Sequence, residues 1–492
     1  MTKSDKRIPE SLMTDSHARR KPSNRVLVIF GARGDLAARK LFPGLFRLYS
    51  AGRMPEDFRI IGSGRHSPGS DDDFRDQIHK ALERLAEDSL KQGDWDGFAK
   101  RLSFVTSTAD EGSDLAQAVK TAEGAIDARG DRLIYLSVPP TATQGMVKML
   151  GDSGLAEHAS LVVEKPFGHD VASAKELNHV LRSVLEETSI YRIDHFLGKE
   201  AAQNIMALRF ANGLLEPLWT RDRISYVQID VPEAIDIQGR GSFYEETGAF
   251  RDMVVTHLMQ ILGVVAIEPP ARIQGEAVHV ERTKLFDAVR PLDPKRVVFG
   301  QYNGYRDEDG VAEDSSAETF AALEVWIDNW RWSGVPFYLR TGKAMAQGRR
   351  TVTIGFWNAP LRIFPDVDES SLGRPSELLF ELSDDPEVSI ELLAKIPGPT
   401  MELGKAAMKL DVVDAFDQSS PLEAYERLLH DVMLEDRLLF STSAQIERLW
   451  EICAPVIEHP PEPLPYEKGS WGPQEAIDLV YTPGWRLPDS DD

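Results

Sequence analysis

Val26-Leu-Val-Ile-Phe-Gly-Ala-Arg-Gly-Asp-Leu36 is the stretch whose reading decides the fold. Residues 26–30 are five consecutive apolar side chains, largely β-branched, which read as a strand buried on both faces. Gly31 and Gly34 then mark a turn. Leu36, Lys40, Leu41 and Leu45 follow at helical spacing, with an expected interruption at Pro43. Residues 58–62 form the next strand. Strand, glycine turn, helix and strand make a βαβ unit, so the sheet here is expected to be parallel. Residues 133–138 and 160–163 read as two more buried strands. The first ends in Pro139-Pro140 and the second in Glu164-Lys165-Pro166-Phe167-Gly168. Residues 25–198 are therefore expected to form one doubly wound α/β domain of Rossmann-like type.

The texture changes near residue 200. Residues 224–231, 319–328, 351–356 and 388–393 look like strands without regular intervening helices. Residues 199–492 are accordingly read as a larger α+β domain with a mostly antiparallel sheet. One strongly apolar helix is expected over residues 250–267. Residues 1–24, which include Arg19-Arg20-Lys21-Pro22, read as a flexible arm, and the proline-rich 460–465 as an extended surface segment.

Composition narrows the function classes. Apolar residues make up 42% of the 492, enough for a sizeable core. The formal net charge of −23 repels nucleic acid and anionic membranes, so neither is an expected partner. A small anionic ligand would need a locally basic pocket. The single cysteine, Cys453, excludes an intrachain disulfide and argues against a cysteine-based metal site. No signal peptide and no run of roughly 18 apolar residues are apparent, so a cytoplasmic protein is expected.

The glycine turn points to a dinucleotide. Gly31 allows the tight turn, and Gly34 lets backbone N–H groups approach a pyrophosphate at the helix N-terminus. The spacing departs from the usual G-x-G-x-x-G. NAD sites usually carry an acid at the end of the second strand, for the ribose 2′-hydroxyl. Here Ile61-Gly-Ser-Gly-Arg65-His66 offers none before Arg65. An arginine there suits a 2′-phosphate by its charge and its fork of donors, so the expected cofactor is NADP.

Four motifs then converge in order: Gly31-Ala-Arg-Gly-Asp-Leu-Ala37, Glu164-Lys-Pro-Phe-Gly168, Arg192-Ile-Asp-His-Phe-Leu-Gly-Lys-Glu200 and Tyr338-Leu-Arg-Thr-Gly-Lys343. With Tyr425-Glu-Arg-Leu-Leu429 and Gly469-Ser-Trp-Gly-Pro473, they make the chain resemble the glucose-6-phosphate dehydrogenase family over residues 25–480. That resemblance implies hydride transfer from C1 of β-D-glucose 6-phosphate to NADP+. It also implies a homodimer or a homotetramer built from dimers, and no metal.

By the same resemblance, His257 is the general base. Asp252 lies five residues before it, which on a regular α-helix is a rotation of about 140°, so the two side chains would point apart. Asp194 is then the expected orienting carboxylate. The resemblance gives substrate contacts to Lys165, His195, Lys199, Glu233, Asp252 and Lys343, with His195 and Lys199 as the phosphate pair. Four residues apart, those two would share one face of a helical turn. Cofactor contacts fall to Gly31, Arg33, Gly34, Asp35, Leu36, Arg65 and Lys165. Of the two prolines at strand ends, Pro139 and Pro166, the resemblance favours Pro166 for a cis bond.

The chain departs from the family in four places. Phe196 replaces a tyrosine whose hydroxyl helps hold the phosphate. Gly348 stands where many members carry a basic residue, for which Arg349 or Arg350 could substitute. Ser383 aligns where an amide or acid often meets a sugar hydroxyl. Arg33 sits where Ser or Thr is commoner; it either joins the cofactor phosphates or turns outward. These departures leave a sugar dehydrogenase of altered preference as one alternative. A silent NADP-binding paralogue is the other, and the retention of Lys165, Asp194, His195, Lys199, Asp252 and His257 argues against it.

Overall fold

The computed structural model describes residues 21–488 apart from 129, 362, 365–373, 375, 384, 385, 413, 416–421 and 482. Most of the arm expected over 1–24 therefore lies outside the described residues. The chain divides into two compact units. One comprises residues 1–163, 184–191 and 425–436, and the other 164–183, 192–424 and 437–492. Both are discontinuous in sequence. The Lys165 and Asp194 motifs group with the C-terminal half.

The first unit is built on β1 (Arg25–Phe30), β2 (Phe58–Gly64), β3 (Leu102–Thr106), β4 (Arg132–Leu136), β5 (Ala159–Val163) and the short β6 (Ile190–Arg192). The sheet order is β3-β2-β1-β4-β5-β6, the doubly wound order with the β1 turn at the switch point. Pairings among β1 to β5 are parallel. Every residue of β1 is buried, which is why residues 26–30 are continuously apolar after Arg25. β3 carries no sequence signature of a strand because it lies at the sheet edge, where only Leu102 is fully buried and no apolar run is needed. Pro43 does not interrupt the first helix. A π-helical turn, Ala37–Leu41, runs directly into the helix Phe42–Ser50, and Pro43 occupies that helix's first turn, where a residue without an N–H is tolerated.

The second unit carries a nine-stranded sheet: β7 (Ile224–Pro232), β8 (Val297–Tyr302), β9 (Phe320–Val325), β10 (Phe337–Gly342), β11 (Thr351–Phe356), β12 (Glu377–Glu381), β13 (Glu387–Lys395), β14 (Leu403–Asp411) and β15 (Leu464–Tyr466). Its order is β14-β13-β12-β11-β7-β10-β9-β8-β15. β7 pairs in parallel with β10, and β8 with β15; the other pairings are antiparallel. The segment expected to be merely extended thus contributes β15, an edge position where prolines are admitted. At the β7–β10 pairing, the buried Arg340 grips Asp230 through two hydrogen bonds of 2.8 and 2.7 Å, leaving neither charge unpaired.

The expected apolar helix runs over Gly241–Ala266, and 89% of its apolar window is buried within the structure, as a core helix's would be. It is not regular. Gly248 breaks it at φ 66° and ψ 167°. Phe250–Leu258 is π-helical, and Met259–Ala266 returns to α geometry. The π-helical segment packs on β9 and β10.

Candidate active site

The phosphate turn belongs to the first unit. Gly31 has φ 68°, and a Cβ there would stand 1.8 Å from the Ser137 carbonyl oxygen, so only glycine fits. The Gly34 N–H donates to the Gly31 oxygen at 2.8 Å, closing the turn. A helix starts immediately afterwards, so the N–H groups at Asp35 and Leu36 have no acceptor within it. Such a turn fits a pyrophosphate. Asp35 lies on the exposed side and pairs with Arg39 at 3.5 Å. Arg65 is exposed just beyond β2. Arg33 is exposed, and its guanidinium donates to Gln77 Oε1 at 3.2 Å and to the carbonyls of His66 and Ser67 at 3.2 and 3.3 Å. It thereby fastens the loop that follows Arg65.

The remaining candidates lie in the second unit. His257 Nδ1 is 2.6 Å from Asp194 Oδ1, and both side chains are buried. A carboxylate only accepts, so Nδ1 carries the proton and Nε2 keeps the lone pair. Asp194 Oδ1 also accepts the Phe196 N–H at 2.9 Å. Phe196 stacks on the imidazole with ring centres 4.4 Å apart, and His195 meets it edge-on at 4.6 Å. The stacking of Phe196 was not legible from its motif.

The charges follow from this packing. Burial works to raise the Asp194 carboxyl, but His257 outweighs it and holds the group well below the ordinary carboxylate range. Burial pushes His257 down, against the pull of Asp194, so the imidazole is neutral at pH 7. Burial, with His257, Lys165 and Lys199 nearby, pushes His195 down to about 3. Of the pair expected to hold the phosphate, His195 is thereby disfavoured as a cation. The helical turn expected for that pair is also absent. Residues 195–198 form tight turns, and Lys199 is extended at the start of the helix Glu200–Ala211.

Lys165 Nζ donates to Asp252 Oδ1 and to the Asp252 carbonyl, both at 2.8 Å. It precedes the cis Lys165–Pro166 bond. Burial works to raise Asp252, yet Lys165, with His257 and Lys343 farther off, holds it low. The segment that carries both Asp252 and His257 is π-helical, not the regular α-helix that the rotation argument assumes. In a helix bonded from i to i+5, residues 252 and 257 are roughly one turn apart rather than turned away. The hydrogen bond nevertheless goes to Asp194. Lys343 pairs with Glu233, and its ammonium lies 5.7 Å from the Tyr244 ring centre.

Asp194, His195 and His257 place one ligand atom each within 4.8 Å of one another, a cluster invisible from sequence spacing. Its shortest contact is the hydrogen bond between two of the would-be ligands, which makes the arrangement an acid–base dyad. Of the departures, Gly348 is exposed beside Ala234, and Arg349, one of the two possible substitutes for the basic residue, is partly buried. Its guanidinium is committed to Asp230 at 2.9 Å and to the Arg486 carbonyl. Ser383 follows β12 by two residues. Glu318, which no motif singled out, accepts the Phe250 N–H at 3.0 Å. Its only sequence signal is an acid just ahead of a buried strand.

Residues 28–204 match the family described as glucose-6-phosphate dehydrogenase, NAD binding domain, and residues 206–486 match its C-terminal domain. Glucose-6-phosphate 1-dehydrogenase 2 of Mycobacterium tuberculosis is 38% identical over 488 residues, covering 94% of each chain. The glucose-6-phosphate 1-dehydrogenase of Bacillus subtilis is 36% identical over 494 residues, covering 94% of this chain and 98% of its own. Among solved structures, a glucose-6-phosphate dehydrogenase in complex with its substrate glucose 6-phosphate superposes with a TM-score of 0.86. It is 30% identical, over 95% of this chain and 99% of that one. The Mycobacterium avium enzyme gives 0.84 at 36% identity, with the same coverage.

Proposed function

The chain belongs to the glucose-6-phosphate dehydrogenase family, and on that premise we propose that His257, oriented by Asp194, is the general base of its reaction. The reaction is oxidation of D-glucose 6-phosphate at C1 to 6-phospho-D-glucono-1,5-lactone, which opens the oxidative pentose phosphate pathway. NADP+, when bound, accepts the C1 hydride on its nicotinamide ring.

The protein's own part is acid–base and electrostatic. His257 Nε2 takes the C1 hydroxyl proton as the hydride leaves. The imidazolium so formed faces the Asp194 carboxylate, which stabilises it without a further rearrangement. Asp252 and Glu233 accept sugar hydroxyls. Lys165 and Lys343 hold those carboxylates in place, and Lys199 and His195 grip the phosphate. Gly31, Gly34, Asp35 and Leu36 receive the pyrophosphate. Arg65, on the loop that Arg33 fastens, meets the 2′-phosphate. The same reading takes residues 25–198 as the NADP-binding part and 199–492 as the part for the sugar and the subunit contacts. It also includes a cytoplasmic location and a homodimer or homotetramer.

The observation that carries the base assignment is the buried 2.6 Å contact between His257 and Asp194. A second reading, relaxed phosphate preference, is favoured by Phe196 and by the commitment of Arg349 to Asp230. One experiment separates the two: initial rates of nicotinamide reduction with NADP+ or NAD+, each against glucose 6-phosphate and glucose. Fast turnover only with NADP+ and glucose 6-phosphate is expected. Comparable turnover with glucose would establish the relaxed site, and no turnover in folded protein would overturn both.

A further inference from the structure

The segment bearing Asp252 and His257 is entered through Gly248, where the backbone leaves helical geometry. The next two N–H groups go to one residue. Ala249 donates to the Glu318 carbonyl at 2.9 Å, and Phe250 donates to Glu318 Oε1 at 3.0 Å. A Cβ on residue 248 would stand 2.2 Å from Glu318 Oε1, so glycine is what leaves room for the carboxyl.

The neighbouring residue serves the other side of the sugar site. The Thr319 carbonyl accepts the Lys343 N–H at 2.9 Å, and Lys343 pairs with Glu233. Residues 318 and 319, just ahead of β9, thus hold the backbone of both groups.

Glu318 is only 7% exposed. Burial pushes its carboxyl up to about 7, against the Phe250 N–H and the more distant Arg251. A glutamine, which cannot ionise and keeps the accepting oxygen, is therefore a close stand-in.

Register makes this anchor matter for chemistry. Asp252 and His257 both ride on this π-helical segment, Asp252 bonded to Lys165 and His257 to Asp194. An α-helix from the same start would turn them about 140° apart. We propose that Glu318 is a positioning residue for the reaction, fixing the start of the π-helical segment so that Asp252 meets Lys165 while His257 meets Asp194. The proposal rests on the assignment of His257 as base.

The test compares Glu318→Gln, which keeps the acceptor at full length, with Glu318→Asp, which withdraws it by one methylene. kcat, KM for glucose 6-phosphate, NADP+ affinity and Tm are read for both, with His257→Asn run in parallel. Glu318→Asp should lower kcat about tenfold or more, the scale of a small misplacement of reacting groups, while NADP+ affinity and Tm stay near wild type. Glu318→Gln should recover most of that loss. Wild-type kcat in Glu318→Asp, or a glutamine variant as slow as the aspartate one, would overturn the proposal. Failure of Glu318→Asp to fold would assign Glu318 to the fold and overturn it as well. Should His257→Asn stay active, the base assignment fails instead, and the two failures are told apart.

Discussion

His257 Nδ1 and Asp194 Oδ1, 63 residues apart in sequence, lie 2.6 Å from each other in the buried part of the second unit. The carboxylate fixes which ring nitrogen is protonated and opposes the positive charge that forms during turnover. Asp194→Asn removes that charge and can present an N–H to Nδ1, favouring the wrong tautomer. kcat should fall by about 10²–10⁴, with KM for glucose 6-phosphate changed only a few-fold. A loss below tenfold in steady-state rates would contradict the orienting role.

In the proposed phosphate pair the positive charge is assigned to Lys199, because burial pushes His195 down to about 3. Lys199→Ala should raise KM for glucose 6-phosphate by roughly 10- to 100-fold, the worth of a charge-assisted hydrogen bond, with kcat within a few-fold. A saturation curve with normal KM and depressed kcat would count against the assignment.

Phe196 stacks on His257 but has no hydroxyl to offer a phosphate. Phe196→Tyr keeps the stacked ring and adds a donor. KM for glucose 6-phosphate should drop by up to about tenfold, one hydrogen bond's worth, at similar kcat. An unchanged or raised KM would sink the idea that this residue loosens the phosphate site.

Burial holds the His257 pKa below its ordinary value near 6.5. The base must be neutral to accept a proton, so activity is lost as pH falls through that lowered value and is retained above it. kcat/KM should hold through neutral and mildly alkaline pH, with its acid limb lying below about pH 6.5. An acid limb with an apparent pKa above 7 in the pH–rate profile would contradict this.

The parallel half of the fold was legible because β1, β2, β4 and β5 are buried strands whose apolar runs need no partner to be read. β3 and β15 were not, since an edge strand can be half polar or proline-rich. The site residues were legible as motifs, but their geometry was not. The α-helical rotation separating Asp252 from His257 assumes a regular helix, and the regularity ends at Gly248, just before the two N–H groups that Glu318, some 70 residues on, accepts. Likewise, nothing local to Arg349 reveals that Asp230 has claimed it. Both are tertiary facts that no sequence spacing encodes.

Turnover by His257→Asn, measured beside its binding of glucose 6-phosphate, tests the account most directly. Asparagine keeps the polarity of the site but cannot take the C1 proton. kcat should fall by about 10²–10⁴ while the sugar phosphate still binds with near wild-type affinity. A variant that keeps more than about a tenth of wild-type kcat would show that another group is the base.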